Sequence, residues 1–309
     1  MSITISNSTY SGQHAGEYLA AGLLAGDTIA KGNITVKSNV AYKEVLNVVS
    51  TDANLIKDAS CDFSDAGAVS MEEKVLAVEE FQINQKICIT PFITDWLAKE
   101  AGVSAHKDMP DTFEKFIIQH FAEKIADHVE TNIWQGNSNT SGSWDGLLTN
   151  LAGDSTVVDV TGAAITSSNI LDQMASVAAA IPSQVLYSDD MRIYLSNKDF
   201  QKFVRSLGGF ASVGAAGIDN QGPLFYDGRD LFYDGLKIAR TPGMPENTIV
   251  AARSSNLFFG TSLLSDLNEI KLIDTRETLG DQNLRFVARF SAGVQTGLGE
   301  EIVYRTNAA

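Results

Sequence analysis

The best candidate for a metal site in the sequence is one side of a predicted helix. Residues three, four and seven apart share a side of a helix, and here they are two histidines and two carboxylates: His120, Glu123, Asp127 and His128. The two histidines stand eight residues apart, which is about 12 Å along a helix axis. Since one ion cannot bind both of them directly, we interpret this side as solvated or as a contact between subunits.

Adjacent carboxylates are the candidates for a general acid and a general base. The sequence contains four such pairs: Glu72-Glu73, Glu79-Glu80, Asp189-Asp190 and Glu300-Glu301. Adjacent side chains point apart on a strand or a helix. We therefore interpret the four pairs as exposed charge.

Two cysteines, Cys61 and Cys88, are the candidate thiol nucleophiles. Neither has a histidine close in sequence that would activate it. Their number and spacing match neither a zinc site nor a disulfide framework. We predict two buried free thiols, and the sequence leaves open whether they pair with each other.

Two aromatic pairs are candidates for stacking on a base or a sugar: Phe225-Tyr226 and Phe232-Tyr233. Arg229 is the basic residue beside them, so packing within strands is favoured over nucleic-acid binding. Each pair belongs to one copy of a Leu-Phe-Tyr-Asp-Gly repeat, at 224–228 and 231–235. The repeat predicts two consecutive strand-and-turn units that each close at Asp-Gly.

The common signatures of enzyme sites are missing from the sequence. It contains no Gly-x-x-x-x-Gly-Lys-Ser/Thr loop, Gly-x-Gly-x-x-Gly turn, Gly-x-Ser-x-Gly elbow or His-Glu-x-x-His helix. We therefore assign no catalytic, cofactor-binding or metal-binding residue, and we expect a protein that is not an enzyme.

Length and charge limit the classes of protein that remain. A chain of 309 residues fits one or two domains. Its net charge of -15 argues against neutralisation of nucleic-acid phosphates as its main work. The apolar run 19–25 is much shorter than the roughly 20 residues of a membrane span, and the first basic residue, Lys31, follows this run, whereas a secretory signal has its positive charge before the run. We expect a protein that spans no membrane and stays inside a cell.

The first part of the chain is predicted to be extended. Residues 1–40 are rich in Ser, Thr, Asn and Gly and form an arm. Alternating and β-branched residues predict strands over 42–49 and 75–90. The segment 50–70 between them predicts a hairpin or long loop with a polar tip that carries four aspartates: Asp52, Asp58, Asp62 and Asp65.

The clearest helix is predicted from Thr112 to about Gln135. Apolar residues recur in it at every fourth position: Phe113, Ile117, Phe121, Ile125, Val129 and Ile133. Gly136 ends the helix, and Asp145-Gly146 then turns the chain sharply.

The second half predicts a compact α/β unit followed by strands. Its helices are expected over 170–181 and from Ser196 or Asn197 onward, with a short strand over 185–187 between them and a glycine-rich loop after 208. Five later strands are predicted: 248–252, 257–259, 269–274, 284–290 and 301–304. In the fourth of these, alternation places Arg285 and Arg289 on the face away from the core, where they offer guanidinium groups to a neighbour.

The order of these parts resembles the major capsid proteins of tailed phages, which have the Hong Kong 97 fold. The segments that carry the resemblance are Glu130-Thr-Asn-Ile-Trp-Gln-Gly136, Asp145-Gly146-Leu147-Leu148, 234–238, Pro242-Gly-Met-Pro245, 249–251, Phe258-Phe259-Gly260, 284–296 and 301–304. Three further stretches are similar to capsid proteins of phages of Bacteroidetes hosts: Tyr42-Lys43, 61–63 and 83–96.

The resemblance implies an α+β capsid fold of the Hong Kong 97 type. Its parts would be an N-arm at 1–40, an E-loop with flanking strands at 41–90, a P domain with the spine helix at 91–155, an α/β A domain at 156–275 and C-terminal P-domain strands at 276–309. The A domain would face the fivefold and sixfold centres of a shell.

The implied function is that of a structural major capsid protein in the virion. It would self-assemble in the host cytoplasm, as pentamers and hexamers, into an icosahedral shell that encloses double-stranded DNA without sequence-specific binding. The strand pattern starts near residue 35 and leaves no room before it for a scaffolding segment, which implies a separate scaffold protein or none. Portal and decoration proteins would be further partners. The alternatives are an encapsulin-type compartment shell and an acidic cytosolic α/β enzyme without a recognised motif.

Overall fold

The structure, a computed structural model, describes residues 27–40, 42–51, 56, 58, 61, 69–88, 111–207, 230–262, 269–275, 280 and 283–307. Most of the predicted N-arm, most of the acidic segment between the first two long strands, the glycine-rich loop and the first copy of the Leu-Phe-Tyr-Asp-Gly repeat lie outside the described residues.

Besides two 3-10 helices, which are Ser254–Asn256 and Gly299–Glu301, the described residues form five α-helices and thirteen strands. In chain order they are α1 (Asp27–Ala30), β1 (Thr35–Ser38), β2 (Lys43–Thr51), β3 (Val69–Ala77), β4 (Glu79–Cys88), α2 (Asp111–Gln135), α3 (Leu147–Gly153), β5 (Val158–Gly162), α4 (Ile170–Ala180), β6 (Met191–Ser196), α5 (Asn197–Ser206), β7 (Phe232–Tyr233), β8 (Leu236–Thr241), β9 (Ile249–Arg253), β10 (Leu257–Thr261), β11 (Glu269–Asp274), β12 (Asn283–Thr296) and β13 (Val303–Asn307). None of these helices is long and apolar enough to cross a bilayer.

The first sheet has five strands and is built around β12. β4 and β11 pair antiparallel with the first part of β12, and β10 pairs with its last part. β1 joins β10 in parallel. Alternate side chains of β12 are buried, namely Leu284, Phe286, Ala288 and Phe290, which confirms the face predicted from the sequence.

The second sheet has six strands in the order β5-β13-β9-β6-β8-β7. One face packs under α4 and α5, where Met174, Ile193, Phe203 and Val303 belong to one apolar core. The opposite face contributes Tyr194 to a second core, which it shares with α2, α3 and the first sheet. The sheet is therefore covered on both faces, as its buried β6 and β9 require.

Helix α2 confirms the long helix predicted from the sequence, and its 25 residues extend for about 37 Å. The C-terminal half supplies the apolar stripe, since Ile125, Val129 and Ile133 are buried. Phe121 stacks on Phe286 of β12 with 4.3 Å between ring centroids. The side chains of Phe113 and Ile117 lie outside the described residues.

One predicted strand is wrong. Residues 185–187 form turns, because Val185 N–H donates to the Pro182 carbonyl at 3.0 Å and Ser188 N–H donates to the Val185 carbonyl at 3.1 Å. The strand that fills this place in the sheet is β6, which begins at Met191. Ser196 then caps α5 as predicted, with its hydroxyl accepting from Asp199 N–H at 3.1 Å.

The predicted C-terminal unit 276–309 is divided between the two sheets. β12 belongs to the first sheet, whereas β13 pairs with β5 and β9 of the second. The end of the chain therefore joins the sheet that residues 158–253 build. The five-part division of the chain stays a prediction.

Candidate functional site

The feature that most needs a partner is a two-stranded ribbon made of β2 and β3. The strands pair antiparallel from Lys43–Ala77 to Thr51–Val69, and no other described strand joins them. A two-stranded sheet is marginal in water unless something packs on it. We refer to β2 and β3 below as the ribbon.

Large apolar side chains of the ribbon face solvent. Of the nine large apolar side chains that are exposed among the described residues, six lie between positions 42 and 75: Tyr42, Val45, Ile56, Val69, Met71 and Val75. Val69 and Met71, at the far end of the ribbon, are each 67% exposed. Apolar groups concentrated on one exposed element are typical of a surface that a partner covers.

The base of the ribbon, in contrast, is firmly attached to the body. Leu76 is fully buried and lies against Gly260, where a Cβ would meet its side chain at 3.0 Å. Lys74 forms an ion pair with Asp154 at 2.5 Å, and Gln295 Nε2 donates to the Val75 carbonyl at 3.0 Å. The ribbon is therefore fixed at one end and projects at the other.

The ion pair at the base is stabilised by its surroundings. Burial acts to raise the pKa of Asp154, but hydrogen bonds from Lys74 and Thr156 outweigh it and hold that pKa below its ordinary value. The Thr156 N–H and hydroxyl both donate to Asp154 Oδ1, at 2.9 and 2.6 Å. Asp154 thus stays ionised and oriented toward the ribbon.

A pocket of about 440 Å³ opens beside the base of the ribbon. Its charged groups already satisfy one another, since Lys37 pairs with Glu44 at 3.0 Å and Arg253 pairs with Glu301 at 3.4 Å. Arg253 also contacts Asp190 at 3.1 Å. The pocket thus has the character of a packing gap between ribbon and body.

The four predicted carboxylate pairs do not assemble into an acid–base site. Five members whose side chains the structure describes are exposed: Glu73, Glu79, Glu80, Asp189 and Glu300. Asp190 and Glu301 differ from the predicted exposed charge, because both are half-buried and pair with Arg253. Hydrogen bonds from Ser255 and Arg253 outweigh burial and lower the pKa of Asp190.

The candidate metal-ligand side of α2, which we interpret as solvated or as a contact between subunits, is exposed at all four positions. His128 Nε2 lies 2.9 Å from the Gly142 carbonyl and 2.7 Å from Asn132 Nδ2. Glu123 accepts a hydrogen bond from Gln119 at 3.3 Å, and Asp127 lies 3.8 Å from Lys124. Across the described ranges, no three His, Cys, Asp or Glu side chains come together as a metal site.

The prediction that Cys61 and Cys88 are buried is wrong, since both are exposed. Cys88 is the last residue of β4 and follows Ile87, which packs on the core, so alternation turns the thiol outward. In the second aromatic pair, Tyr233 packs on the core of the second sheet and donates to the Leu171 carbonyl at 3.0 Å, but Phe232 is exposed.

A buried polar junction was not predicted from the sequence. Glu130 of α2 accepts hydrogen bonds from the N–H of Thr28, at 3.1 Å, and from its hydroxyl. The Trp134 indole N–H donates to the same hydroxyl at 3.0 Å. A Cβ on Gly243 would collide with the Glu130 backbone carbonyl. The N-terminal segment, α2 and the loop after β8 therefore meet at one carboxylate.

One pattern in the sequence could have indicated this junction. Glu130 and Trp134 are four residues apart and so share a helix side, next to the apolar stripe of Val129 and Ile133. Their partner Thr28 lies 102 residues from Glu130 along the chain, and no local pattern connects the two positions.

Comparison with known proteins identifies the architecture. No family model and no curated protein matches the sequence. Among solved structures, the capsid of a native GTA particle matches with a TM-score of 0.63 and 13% identity, over 94% of this chain and 91% of that one. Mycobacterium phage Ogopogo matches with a TM-score of 0.60 and 13% identity, over 92% of both chains.

A third similar structure is a virus-like particle from Pyrococcus furiosus, with a TM-score of 0.53 and 11% identity over 96% of this chain and 99% of that one. The matches cover nearly the whole chain, so they concern its fold as a whole and not one part of it. Sequence identities this low leave only the fold in common. The chain has the α+β Hong Kong 97-type fold of phage major capsid proteins.

Proposed function

We propose that this chain is a structural major capsid protein. Copies of it would assemble as pentamers and hexamers into an icosahedral shell that encloses double-stranded DNA. The observation that carries this proposal is the ribbon, which is fixed to the body through Lys74 and Leu76. It exposes Val45 and Val75 beside this attachment and Val69 and Met71 at its far end. In a shell, neighbouring copies would cover these side chains.

Several further properties support the proposal. The similar structures are phage and GTA capsids. The net charge of -15 suits a wall that holds packed DNA without adhering to it. We propose the virion as its location, assembly in the host cytoplasm, and scaffold, portal and decoration proteins as partners. A host among the Bacteroidetes stays a prediction.

A compartment shell of the encapsulin type is the second candidate. It is favoured by one observation, the likeness to a virus-like particle. Such a shell would assemble through the same surfaces, but it would enclose a cargo protein. The contents of purified shells distinguish the two functions, because a capsid made with its packaging partners contains DNA and a compartment contains protein.

Deletion of residues 52–67 tests the role of the ribbon. We expect the shortened chain to remain soluble and folded, because the described base of the ribbon is attached through Leu76 and Lys74, outside the deletion. We expect it to form no shells in electron micrographs. Far-ultraviolet circular dichroism is the control for folding, and shells of normal size from the deleted chain would contradict the proposal.

A further inference from the structure

The segment 27–34, which contains α1 and the turn that leads to β1, is held on the body of the chain at two polar points. The first is the contact of Thr28 with the carboxylate of Glu130 in α2. The second is Asn33, whose backbone carbonyl accepts a hydrogen bond from the Tyr194 hydroxyl at 2.6 Å. One point lies at the start of α1 and the other lies just after it.

The two points differ in their response to pH. Tyr194 is fully buried, and burial raises the pKa of its hydroxyl, which therefore remains a donor at acid and at neutral pH. Glu130 is 5% exposed, and burial raises the pKa of its carboxyl from the ordinary range of a carboxylic acid. The contact at Thr28 thus contains a group that changes its charge at moderate pH, whereas the contact at Asn33 does not.

The charged and titratable side chains of the elements around Glu130 have other described partners. They are Lys31, paired with Asp27 at 2.8 Å; Arg192, which donates to the side chain of Asn33; Lys237, paired with Asp230 at 2.6 Å; Arg240, over the ring of Phe200; His128, 2.9 Å from the Gly142 carbonyl; Asp127, 3.8 Å from Lys124; and Glu246, paired with Lys198. The charge of Asp27 opposes the ionisation of Glu130. The carboxylate of Glu130 therefore has hydrogen-bond donors, but no cation forms an ion pair with it among the described residues.

We propose that Glu130 and Thr28 form a pH-sensitive switch, which holds α1 on helix α2 while the Glu130 carboxyl is neutral and releases α1 when it is ionised. A buried carboxylate without a cation regains favourable solvation when water reaches it. α1 contacts this carboxylate through one residue and has four residues in all, too few for a helix that is stable by itself. It is therefore the covering element that opens most easily.

The sign of the switch follows from the linkage between proton binding and docking. The pKa of Glu130 is higher with α1 docked than with α1 released, so the docked state binds the proton more tightly. Its contribution to docking is complete below the ordinary pKa of a carboxyl and is lost as pH rises through the pKa of the docked state. α1 is therefore docked at acid pH and released as pH rises.

Release changes the place at which the preceding residues leave the body of the chain. With α1 docked, the first polar anchor is Thr28; with α1 released, it is Asn33, which the Tyr194 hydroxyl still holds. Five more residues then become available, which is about 17 Å of extended chain. The switch thus sets the reach of the residues before α1. It goes beyond the proposed function and does not depend on it, because one subunit contains every group involved.

Amide hydrogen exchange of the full-length chain, measured by mass spectrometry on free subunits, tests the switch. The wild type is compared with Glu130→Gln at the same pH, so that the intrinsic exchange chemistry is equal in both. At about pH 4.5 we expect the amides of 28–32 to exchange alike in the two chains. At about pH 8 we expect those of the wild type to exchange about tenfold faster, in molecules whose β12 amides remain protected.

Two further variants separate a switch from a structural contact. Glu123→Gln removes an exposed carboxylate from the same helix and should follow the wild type at every pH. Asp27→Asn removes the neighbouring charge that raises the pKa of Glu130, so the acceleration between acid and alkaline pH should become smaller. A contact without a switch would change exchange by the same factor at every pH.

Equal exchange of 28–32 in the wild type and Glu130→Gln at every pH would overturn the inference. So would faster exchange at acid pH, and so would an acceleration that 28–32 and β12 show together, because that result would report unfolding of the whole subunit. These outcomes concern the free subunit and leave the proposed function intact, which depends instead on whether the wild-type chain forms shells.

Discussion

Glu130 shows how one side chain connects distant parts of the chain. Its carboxylate is buried in α2 and receives two hydrogen bonds from Thr28. The pKa of Glu130 is raised, mainly by burial and further by the charge of nearby Asp27. Hydrogen bonds from Thr28 and Gly243 lower this pKa but do not outweigh the increase. Lys31, the cation of the same segment, pairs instead with Asp27 at 2.8 Å. Because no cation among the described residues forms an ion pair with it, ionised Glu130 weakens the junction that its hydrogen bonds create.

The raised pKa predicts a specific pH dependence. A carboxyl group whose pKa is higher in the folded chain binds its proton more tightly there, so its contribution to stability is complete at acid pH and is lost as pH rises through the folded pKa. Glu130→Gln stays neutral at every pH. We therefore expect its free energy of unfolding, compared with that of the wild type at the same pH, to increase as pH rises from about 4.5 to 8. Urea unfolding over this range measures the difference.

The control for this prediction is Glu123→Gln, which removes an exposed carboxylate from the same helix. Its stability relative to the wild type should change little with pH. A Glu130→Gln chain that loses stability relative to the wild type as pH rises would show that the carboxylate is stabilised in its ionised form.

Gly243 packs directly against the backbone of α2 at the same junction. Its close approach to the backbone of Glu130 leaves no space for a side chain, and Gln135 Nε2 donates to its carbonyl at 2.6 Å. We expect Gly243→Ala to cost about 1–3 kcal/mol of unfolding free energy through overpacking. Gly153→Ala is the matched control, because nothing lies within 4 Å of its Cβ position and alanine is favoured in a helix. Equal midpoints of the two variants in urea would contradict the account of the junction.

Among the elements, the ribbon is attached only at its base, and the ion pair of Lys74 with Asp154 is one of the contacts there. The two side chains are only 20% and 17% exposed, so loss of one partner leaves a partly buried charge. We expect Lys74→Met to weaken the attachment by about 1–2 kcal/mol. Faster amide hydrogen exchange in 43–51 and 69–77, with little change in α2, is the expected result.

An exposed ion pair provides the comparison. Lys31→Met removes the Asp27 pair, whose side chains are 44% and 39% exposed, and exposed pairs contribute little. Exchange in the ribbon should be unaffected by it. If Lys74→Met left ribbon exchange unchanged as well, the ribbon would be attached through Leu76 and backbone contacts alone.

Sequence patterns predicted the helices and strands that are determined by the residues within them. α2 follows from apolar residues at every fourth position, and β12 from alternation between buried Phe286 and exposed Arg285. β5 went unpredicted, because it is a short strand whose parallel partner is distant in sequence: Val158 pairs with Val303. A parallel edge strand is defined by its neighbour more than by its own residues.

The same distinction holds for the candidate site. The hairpin between the first two long strands and the outward guanidinium groups of β12 were predicted, since composition and alternation determine them. The exposure of Cys88 and the pairing of Asp190 and Glu301 with Arg253 were not, because they depend on the direction of a strand end and on contacts across the second sheet.

For the whole molecule, we expect the stability of a subunit and its assembly into shells to depend on different side chains. Met71 is exposed near the free end of the ribbon, so replacement should not affect the folded subunit. We expect Met71→Gln to change the unfolding free energy by less than about 0.5 kcal/mol and to raise the concentration at which shells form. Sedimentation velocity over a dilution series measures the second effect. Assembly at the wild-type concentration would show that this part of the ribbon stays uncovered in the shell.

In the proposed function, the free chain leaves surfaces unsatisfied that only further copies of it complete. Electron microscopy of the full-length chain, expressed without and with a scaffold protein from its own genome, tests this most directly. The account predicts closed shells of uniform diameter with fivefold and sixfold clusters, in which the ribbon of each copy lies on a neighbour. A monomer that persists at high concentration under both conditions, with Val69 and Met71 folded against its own body, would contradict it.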